Sequence, residues 1–370
     1  MNRPAANLGE PVAAIDTPAL VIDLDALERN IGRMAHFARQ HALRLRPHAK
    51  THKSAAIARL QIAAGAVGVC VQKLSEAEAL ADAGIGDIYL SNQIVDEAKL
   101  ARLARLAGRI TLAVAVDSPL GVQRLAAALK SAGTSLDVFV EVDIGHGRCG
   151  IAPPAAGALA HQVVSHGLRF AGLQAYHGSA QHVRGAAERE AAIHHALGRA
   201  RAAQASVTAS GVECPLVTGG GTGSFAFDAA GRVHGEIQPG SYVFMDRDYA
   251  DNEHAAAAPA FEHALFVKSQ VISRGEAHAV VDAGHKSHAI DSGLPRVWQR
   301  RLAFANGGDE HGILRAAGDA LPALGETVWL VPGHCDPTVN LHDHYVCVRG
   351  GLVHGHVEAV WPVDARGCVG

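Results

Sequence analysis

Residues 67–92 read VGVCVQKLSEAEALADAGIGDIYLSN, and this stretch decides the fold. VGVCVQ (67–72) is a short β-rich run, SEAEALADAG (75–84) repeats its apolar residues at helical spacing, and DIYLSN (87–92) is β-rich again. Strand, helix and strand in that order predict a βαβ unit, whose helix carries the chain back so that the two strands lie parallel. The pattern continues on both sides, with strand-like runs ALVIDL from Ala19, LRLRP from Leu43, ITLAVAV from Ile110, LDVFVEVD from Leu136, FAGLQAYH from Phe170 and CPLVTGGG from Cys214. Eight βα units without a second Gly-rich nucleotide fingerprint favour an α/β fold of the (β/α)8 TIM-like barrel kind over a doubly wound sheet. From about residue 255 the texture changes to strand-like runs such as HALFVKSQVIS, TVWLVPG and HYVCVRGG separated by Gly and Pro turns. The expected organisation is a barrel over 16–254 and a C-terminal β domain over 255–370, with residues 1–15 associating with the β domain.

In such a barrel chemistry sits at the strand C-terminal ends. The unusual polar residues fall there: His48 and Lys50, Gln72, Ser91 and Asn92, Asp143 with Arg148, Tyr176 and His177, then Thr218 and its glycines. Composition narrows the ligand. With 370 residues, 48% of them hydrophobic, and a formal net charge of -3, the chain can bury a large core and shows no basic footprint. Nucleic acid and anionic membranes are therefore poor partners, and a small molecule fits better. No apolar run is long enough to cross a bilayer and the first residues lack a signal-peptide core, so the expectation is a cytoplasmic protein. Six scattered cysteines without CxxC spacing argue against a disulfide framework or a cysteine zinc site.

Three clusters carry chemistry. In RPHAKTHK (46–53), Lys50 follows a strand among cationic neighbours; such crowding lowers an amine's pKa and suits a lysine that attacks an aldehyde carbon, although a solvated basic turn reads equally well. TGGGTGS (218–224) follows the last expected barrel strand, where exposed backbone N–H groups can cradle a phosphate, and Gln238-Pro-Gly-Ser-Tyr242 could add donors. In PGHCDPT (332–338), His334 and Asp336 stand two residues apart and, on extended backbone, point to one side, where they could hold one cation or form a hydrogen-bonded pair in a loop. Two protein ligands would leave positions open for water and substrate, which suits Lewis-acid catalysis. His182, after the seventh strand and close to Tyr176, is the better placed of the nearby histidines for a base. Asp309, Glu310 and His311 form a polar knot in the β domain, most simply a solvated turn.

Taken in order, RPHAKTHK, CVQKLSEAEAL (70–80), EVDIGHGRCG (141–150), GLQAYHGSAQH (172–182), TGGGTGS, GSYVFMD (240–246), VDAGHKS (281–287), DEHG (309–312) and PGHCDPTVNLHD (332–343) resemble the D-threonine aldolase and 3-hydroxy-D-aspartate aldolase group. This is the metal-activated branch of the alanine-racemase-like, fold-type III pyridoxal-phosphate enzymes, and the resemblance runs through nearly the whole chain. It implies that Lys50 holds pyridoxal 5'-phosphate as a Schiff base and that Arg148 faces the pyridine nitrogen. Tyr176, Thr218, Gly220, Gly221, Gly240 and Ser241 would surround ring and phosphate, with Gln72 and Ser91 nearby. His334 and Asp336 would bind the divalent metal (Mn, Mg, Co, Ca or Zn), and His182 would take the proton from the substrate hydroxyl. Related D-serine dehydratases carry a cysteine at the position of Asp336; Cys335 is one residue away and does not restore their pattern.

The activity implied is cleavage of a D-3-hydroxy-α-amino acid between Cα and Cβ, giving glycine and an aldehyde: acetaldehyde from D-threonine or glyoxylate from 3-hydroxy-D-aspartate. The alternatives are a dehydratase that forms a 2-oxo acid and ammonia, and a non-catalytic pyridoxal-phosphate carrier, which would need neither the metal pair nor the β domain. The resemblance also implies a homodimer.

Overall fold

A computed structural model describes residues 4–256 and 258–370. Its strands are β1 (Ala19–Asp23), β2 (Arg44–Leu45), β3 (Val69–Val71), β4 (Asp87–Leu90), β5 (Thr111–Val116), β6 (Asp137–Glu141), β7 (Arg169–Ala175), β8 (Val217–Gly219) and β9 (Glu236–Ile237), then β10 (Leu265–Arg274), β11 (Ala279–Val281), β12 (Arg296–Val297), β13 (Leu302–Asn306), β14 (Gly312–Ala316), β15 (Thr327–Val331), β16 (His344–Arg349) and β17 (His356–Pro362). The helices are α1 (Leu24–Gln40), α2 (Ala55–Ala63), α3 (Leu74–Asp82), α4 (Glu97–Ala107), α5 (Pro119–Ala132), α6 (Ala156–Ser165), α7 (Ala186–Ala209), α8 (Phe225–Gly231), α9 (Arg247–Ala250) and α10 (Cys335–Val339).

Strands β2 to β9 form one sheet in the order β2-β9-β8-β7-β6-β5-β4-β3, every pair parallel. A parallel bridge between His48 and Cys70, with Cys70 N donating to Pro47 O at 2.8 Å, joins the two ends and closes the barrel. Period-two alternation fills it: Cys70, Tyr89, Ala113 and Phe139 point inward, while their chain neighbours Val69, Val71, Ile88, Leu90, Val114 and Val138 pack against the surrounding helices. A buried polar network crosses the interior from there. Tyr89 Oη donates to Gln174 Oε1 at 3.0 Å, Gln238 Nε2 to both Gln174 Oε1 (3.0 Å) and Thr218 Oγ1 (2.7 Å), and Thr218 Oγ1 to Glu236 Oε1 (2.8 Å).

The second sheet runs β13-β14-β11-β10-β1-β16-β17, with β15 pairing to β10 and β12. Here the structure departs from the sequence expectation. The Ala19 run does not open the barrel; β1 lies antiparallel to β10 and parallel to β16, in the middle of the second sheet. Its missing place in the barrel is taken by Glu236–Ile237, which pairs with β2 and β8. Local periodicity specifies a strand but not which sheet receives it, and a two-residue strand ahead of Pro239 shows no period at all. Near the N-terminus, Pro11 bridges His356, and Gly9 N donates to Val357 O at 2.8 Å, so this segment lies along β17.

Helix α1 follows β1 at once because Asp23 caps it, accepting from Asp25 N and Ala26 N at 3.0 and 3.2 Å. Its apolar stripe of Leu24, Leu27, Ile31 and Met34 joins Tyr242, Phe244, Leu265, Val267, Leu330 and Tyr345 in one core shared by the barrel flank and the second sheet. That shared core fixes the second sheet against the barrel flank.

Candidate active site

Lys50 sits in a one-turn 3-10 helix (Ala49–Thr51) just past β2. The expected crowd of cations around it is absent, because successive side chains leave this turn in different directions and each finds its own partner. Arg46 pairs with Glu236 and Asp87, His52 Nε2 meets Gln61 Oε1 at 3.2 Å, and Lys53 Nζ donates to Glu76 Oε1 at 2.7 Å. The Lys50 amine instead forms an ion pair with Asp336. Burial presses that amine toward neutrality, but the Asp336 carboxylate outweighs it and raises the pKa above the usual lysine value. The sequence-based reason for a reactive lysine, a pKa lowered by cations, is therefore corrected by the structure.

Beside Lys50 opens a cavity of about 270 Å³, lined among others by Gln72, Ser91, Arg148, Tyr176, Gly220, Gly221, Gly240 and Ser241. The glycines are bare for steric reasons. A Cβ on Gly221 would come within 2.5 Å of Gln181 Oε1, one on Gly240 within 2.5 Å of Thr51 Oγ1, and Gly220 (φ +73°) would place one 2.7 Å from Asp228 Oδ2. The loop is held from behind: Gly221 N donates to Ser224 Oγ (3.1 Å), Gly223 N to Gln181 Oε1 (2.8 Å), and Ser224 Oγ to Asp228 Oδ2 (2.7 Å). A small-residue cradle of this kind, opposite a lysine and next to Tyr176, fits a phosphorylated aldehyde cofactor.

Also lining the cavity, His48, buried and with its pKa far below the usual value through desolvation and then the Lys50 charge, is a neutral imidazole whose Nε2 lies 3.1 Å from Gln72 Nε2. Gln72 also donates to Ser91 Oγ at 3.1 Å. The Arg148 guanidinium stands 5.8 Å from the Tyr176 ring centroid. Thr218 lies outside the cavity lining, its hydroxyl consumed by Glu236 and Gln238.

His334 and Asp336 do meet, though not on extended backbone. His334 is the extended N-cap of α10 and Asp336 lies in its first turn, which leaves His334 Nε2 3.9 Å from Asp336 Oδ1. His334 Nδ1 donates to Asp246 Oδ2 at 2.8 Å, which leaves Nε2 as the free nitrogen. Burial opposes protonation of this imidazole, but the bond to Asp246 and the nearby Asp336 charge raise its pKa to about 9. Burial likewise penalises the Asp336 charge, and Lys50 and His334 hold its carboxyl well below the usual range. Asp336 Oδ1 is buried without a hydrogen-bond partner among the described residues. An orphaned carboxylate oxygen facing the imidazole Nε2, with a carboxylate behind that imidazole, fits a divalent cation, which would displace the Nε2 proton. Among the described residues no set of three or more His, Cys, Asp and Glu side chains gathers around one point, so solvent or substrate would complete the shell.

His182 ends a 3-10 helix (Ser179–His182) after β7 and donates Nδ1–H to Asp248 Oδ2 at 2.6 Å. It does not line the cavity; its ring packs 5.6 Å from that of Tyr249, which does. Asp309 and Glu310 are exposed and ion-paired with Lys286, as a solvated turn should be. Sequence reasoning missed the pair Asp246 and Asp248, which hydrogen-bond His334 and His182 respectively, and Tyr249 beside them; the signal was the spacing of acids in Asp246-Arg-Asp-Tyr249. It also left His48 and Thr222, both in the cavity wall, unassigned.

A parallel barrel with a lysine and a glycine-floored cavity at its mouth, roofed by a second sheet, defines the alanine-racemase-like class. The alanine racemase N-terminal domain model matches residues 22–248, and a putative serine dehydratase domain model matches residues 264–348. A D-threonine aldolase from Arthrobacter sp is 45% identical over 98% of this chain and 96% of its own length. A 3-hydroxy-D-aspartate aldolase from Paracoccus denitrificans (strain Pd 1222) is 42% identical over 97% and 94%. A D-threo-3-hydroxyaspartate dehydratase from Delftia sp. (strain HT23) is more distant, at 32% over 89% and 93%. The crystal structure of D-threonine aldolase from Filomicrobium marinum superposes with a TM-score of 0.96 at 50% identity, covering 100% of both chains. The chain belongs to the D-threonine aldolase and 3-hydroxy-D-aspartate aldolase family.

Proposed function

We propose that this protein is a lyase that cleaves D-3-hydroxy-α-amino acids, of the D-threonine or 3-hydroxy-D-aspartate type, to glycine and an aldehyde with pyridoxal phosphate and a divalent metal. The observation that carries the proposal is the meeting of Lys50 and Asp336, from opposite ends of the chain, beside the glycine-floored cavity. Bound through Lys50, the cofactor supplies an electron sink for the carbon left when Cα–Cβ breaks. A cation held by His334 and Asp336 supplies Lewis acidity toward the β-hydroxyl.

The protein's own groups do the rest. Gly220, Gly221 and Gly240 let backbone N–H groups approach a phosphate, with the Ser241 hydroxyl beside them. Tyr176 and Arg148 bound one side of the ring site, and neutral His48 with Gln72 and Ser91 bound the other. His182, its Nδ1–H tied to Asp248, offers Nε2 to accept the proton of the substrate hydroxyl. Six unpaired cysteines, three of them buried, accord with a reducing cytoplasm.

Cys335 weighs against the dehydratase alternative. Its side chain is fully buried in the apolar core and its pKa lies far above the usual thiol value because of that burial, so no thiolate faces the His334 site. The test is product analysis with D-threonine and D-3-hydroxyaspartate, with and without added Mn²⁺. Glycine and the matching aldehyde are expected, with turnover lost in EDTA. A predominance of 2-oxo acid and ammonia would sink the aldolase reading, and turnover indifferent to EDTA would sink the metal half.

A further inference from the structure

Two carboxylates on one short segment, Asp246 and Asp248, stand behind the two histidines to which the proposed reaction gives chemical work. Asp246 is the N-cap of α9: its Oδ1 accepts from Tyr249 N at 3.0 Å, while Oδ2 accepts from His334 Nδ1 at 2.8 Å and from Cys335 N at 3.0 Å. Asp248 accepts from His182 Nδ1 through Oδ2 at 2.6 Å and from Arg184 through Oδ1. Both carboxylates are buried, and the histidines belong to different bodies of the molecule, one on the barrel loop after β7 and one at the start of α10.

The backbone repeats this connection. Arg247 N and Asp248 N donate to Pro332 O and Gly333 O, both at 3.1 Å, immediately before His334. On the other side Asn252 Nδ2 donates to Gln181 O and Glu253 N to Arg184 O, both at 2.9 Å, on either side of His182. Tyr249 lies between, against the His182 ring and in the cavity wall.

We propose that residues 246–253 are a strap that sets the spacing of His334 and His182, with Asp246 and Asp248 as positioning residues for the metal ligand and for the base respectively. Each carboxylate accepts a hydrogen bond from the Nδ1–H of its histidine and so turns Nε2 away from itself, one to be offered to a cation and one to a substrate proton. The labour is divided: Asp246 acts on metal affinity, Asp248 on turnover alone. This rests on the aldolase reading for the meaning of turnover, but the metal arm does not.

The test compares Asp246→Asn and Asp248→Asn with the parent, each loaded with cofactor, stripped of metal and titrated with Mn²⁺ by the electron paramagnetic resonance of the free ion. Asp246→Asn should weaken Mn²⁺ by about 10–100-fold, the usual cost of losing a partner behind a metal-bound histidine, with the cofactor absorbance band and circular dichroism unchanged. Asp248→Asn should bind Mn²⁺ like the parent, lose kcat with KM retained, and be partly rescued as Asp248→Glu. Parental Mn²⁺ affinity in Asp246→Asn, or an equal loss in both variants, overturns the division. A variant that loses its circular dichroism signal is replaced by Asp246→Ser or Asp248→Ser, judged on the same two readouts. A parent that binds Mn²⁺ but yields other products overturns the aldolase reading and leaves the metal arm standing; a parent that binds no Mn²⁺ overturns both.

Discussion

Lys50 and Asp336 lie 286 positions apart, and their contact is the residue-scale fact from which the site is built. In Lys50→Ala the absorbance band of the lysine-bound cofactor and the turnover should both vanish, while Mn²⁺ still binds, because His334 and Asp336 stay in place. A spectrum measured beside the Mn²⁺ titration checks this; persistence of the band would remove Lys50 from its role. The sequence singled out this lysine, yet for a reason the structure does not support. Adjacent cations in a string say nothing about where their side chains go, and Arg46, His52 and Lys53 each turn to a separate partner, Glu236, Gln61 and Glu76. For His334 and Asp336 the spacing pointed to a common target, but the geometry that joins them is a helix N-terminus and not a strand.

At the scale of elements, the turn after β8 shows what a short string can and cannot reveal. Its glycines pointed to a phosphate cradle by their place after a late barrel strand, although a tight strand-to-helix turn reads from the same string. What holds the cradle was not legible: Ser224 and Asp228 belong to the start of α8, but Gln181 comes from the turn after β7 and reaches the loop only in three dimensions. Gly220→Ala would add a Cβ 2.7 Å from Asp228 Oδ2 at φ +73°. The left-handed backbone alone costs roughly 1–2 kcal/mol in a residue with a side chain. The expected outcome is a lower melting temperature together with weaker cofactor binding, read by thermal scanning with and without cofactor. An unchanged cofactor affinity would show that this loop does not hold the phosphate. The same limit hid β9, whose two residues are too few to show a period, and Asp246 and Asp248, whose spacing carries meaning only once both histidines are in place.

Across the whole molecule, the sequence indicated a barrel followed by a β-rich region but not that the two share material. Strand β1 is buried on both faces, Leu20 and Ile22 facing the core shared with the barrel flank and Ala19 and Val21 a second cluster with Val346 and Val348. Because α1 and the segment around Tyr242 and Phe244 pack into the same core as Leu265, Val267 and Tyr345, the barrel cannot lose that sheet without exposing a large apolar surface. The cofactor-free protein should therefore unfold in one calorimetric transition, and two separated transitions would contradict a shared core. No helix among the described residues is long and apolar enough to cross a membrane.

The placement of β1 also imposes an order on birth. A ribosome makes ALVID ahead of the barrel, yet its antiparallel neighbour Leu265–Arg274 and its parallel neighbour His344–Arg349 appear only after the entire barrel has been translated. At ~5–20 residues per second, the newborn strand waits on the order of ten seconds or more with both edges unpaired, in need of shelter until the strands that follow the barrel emerge.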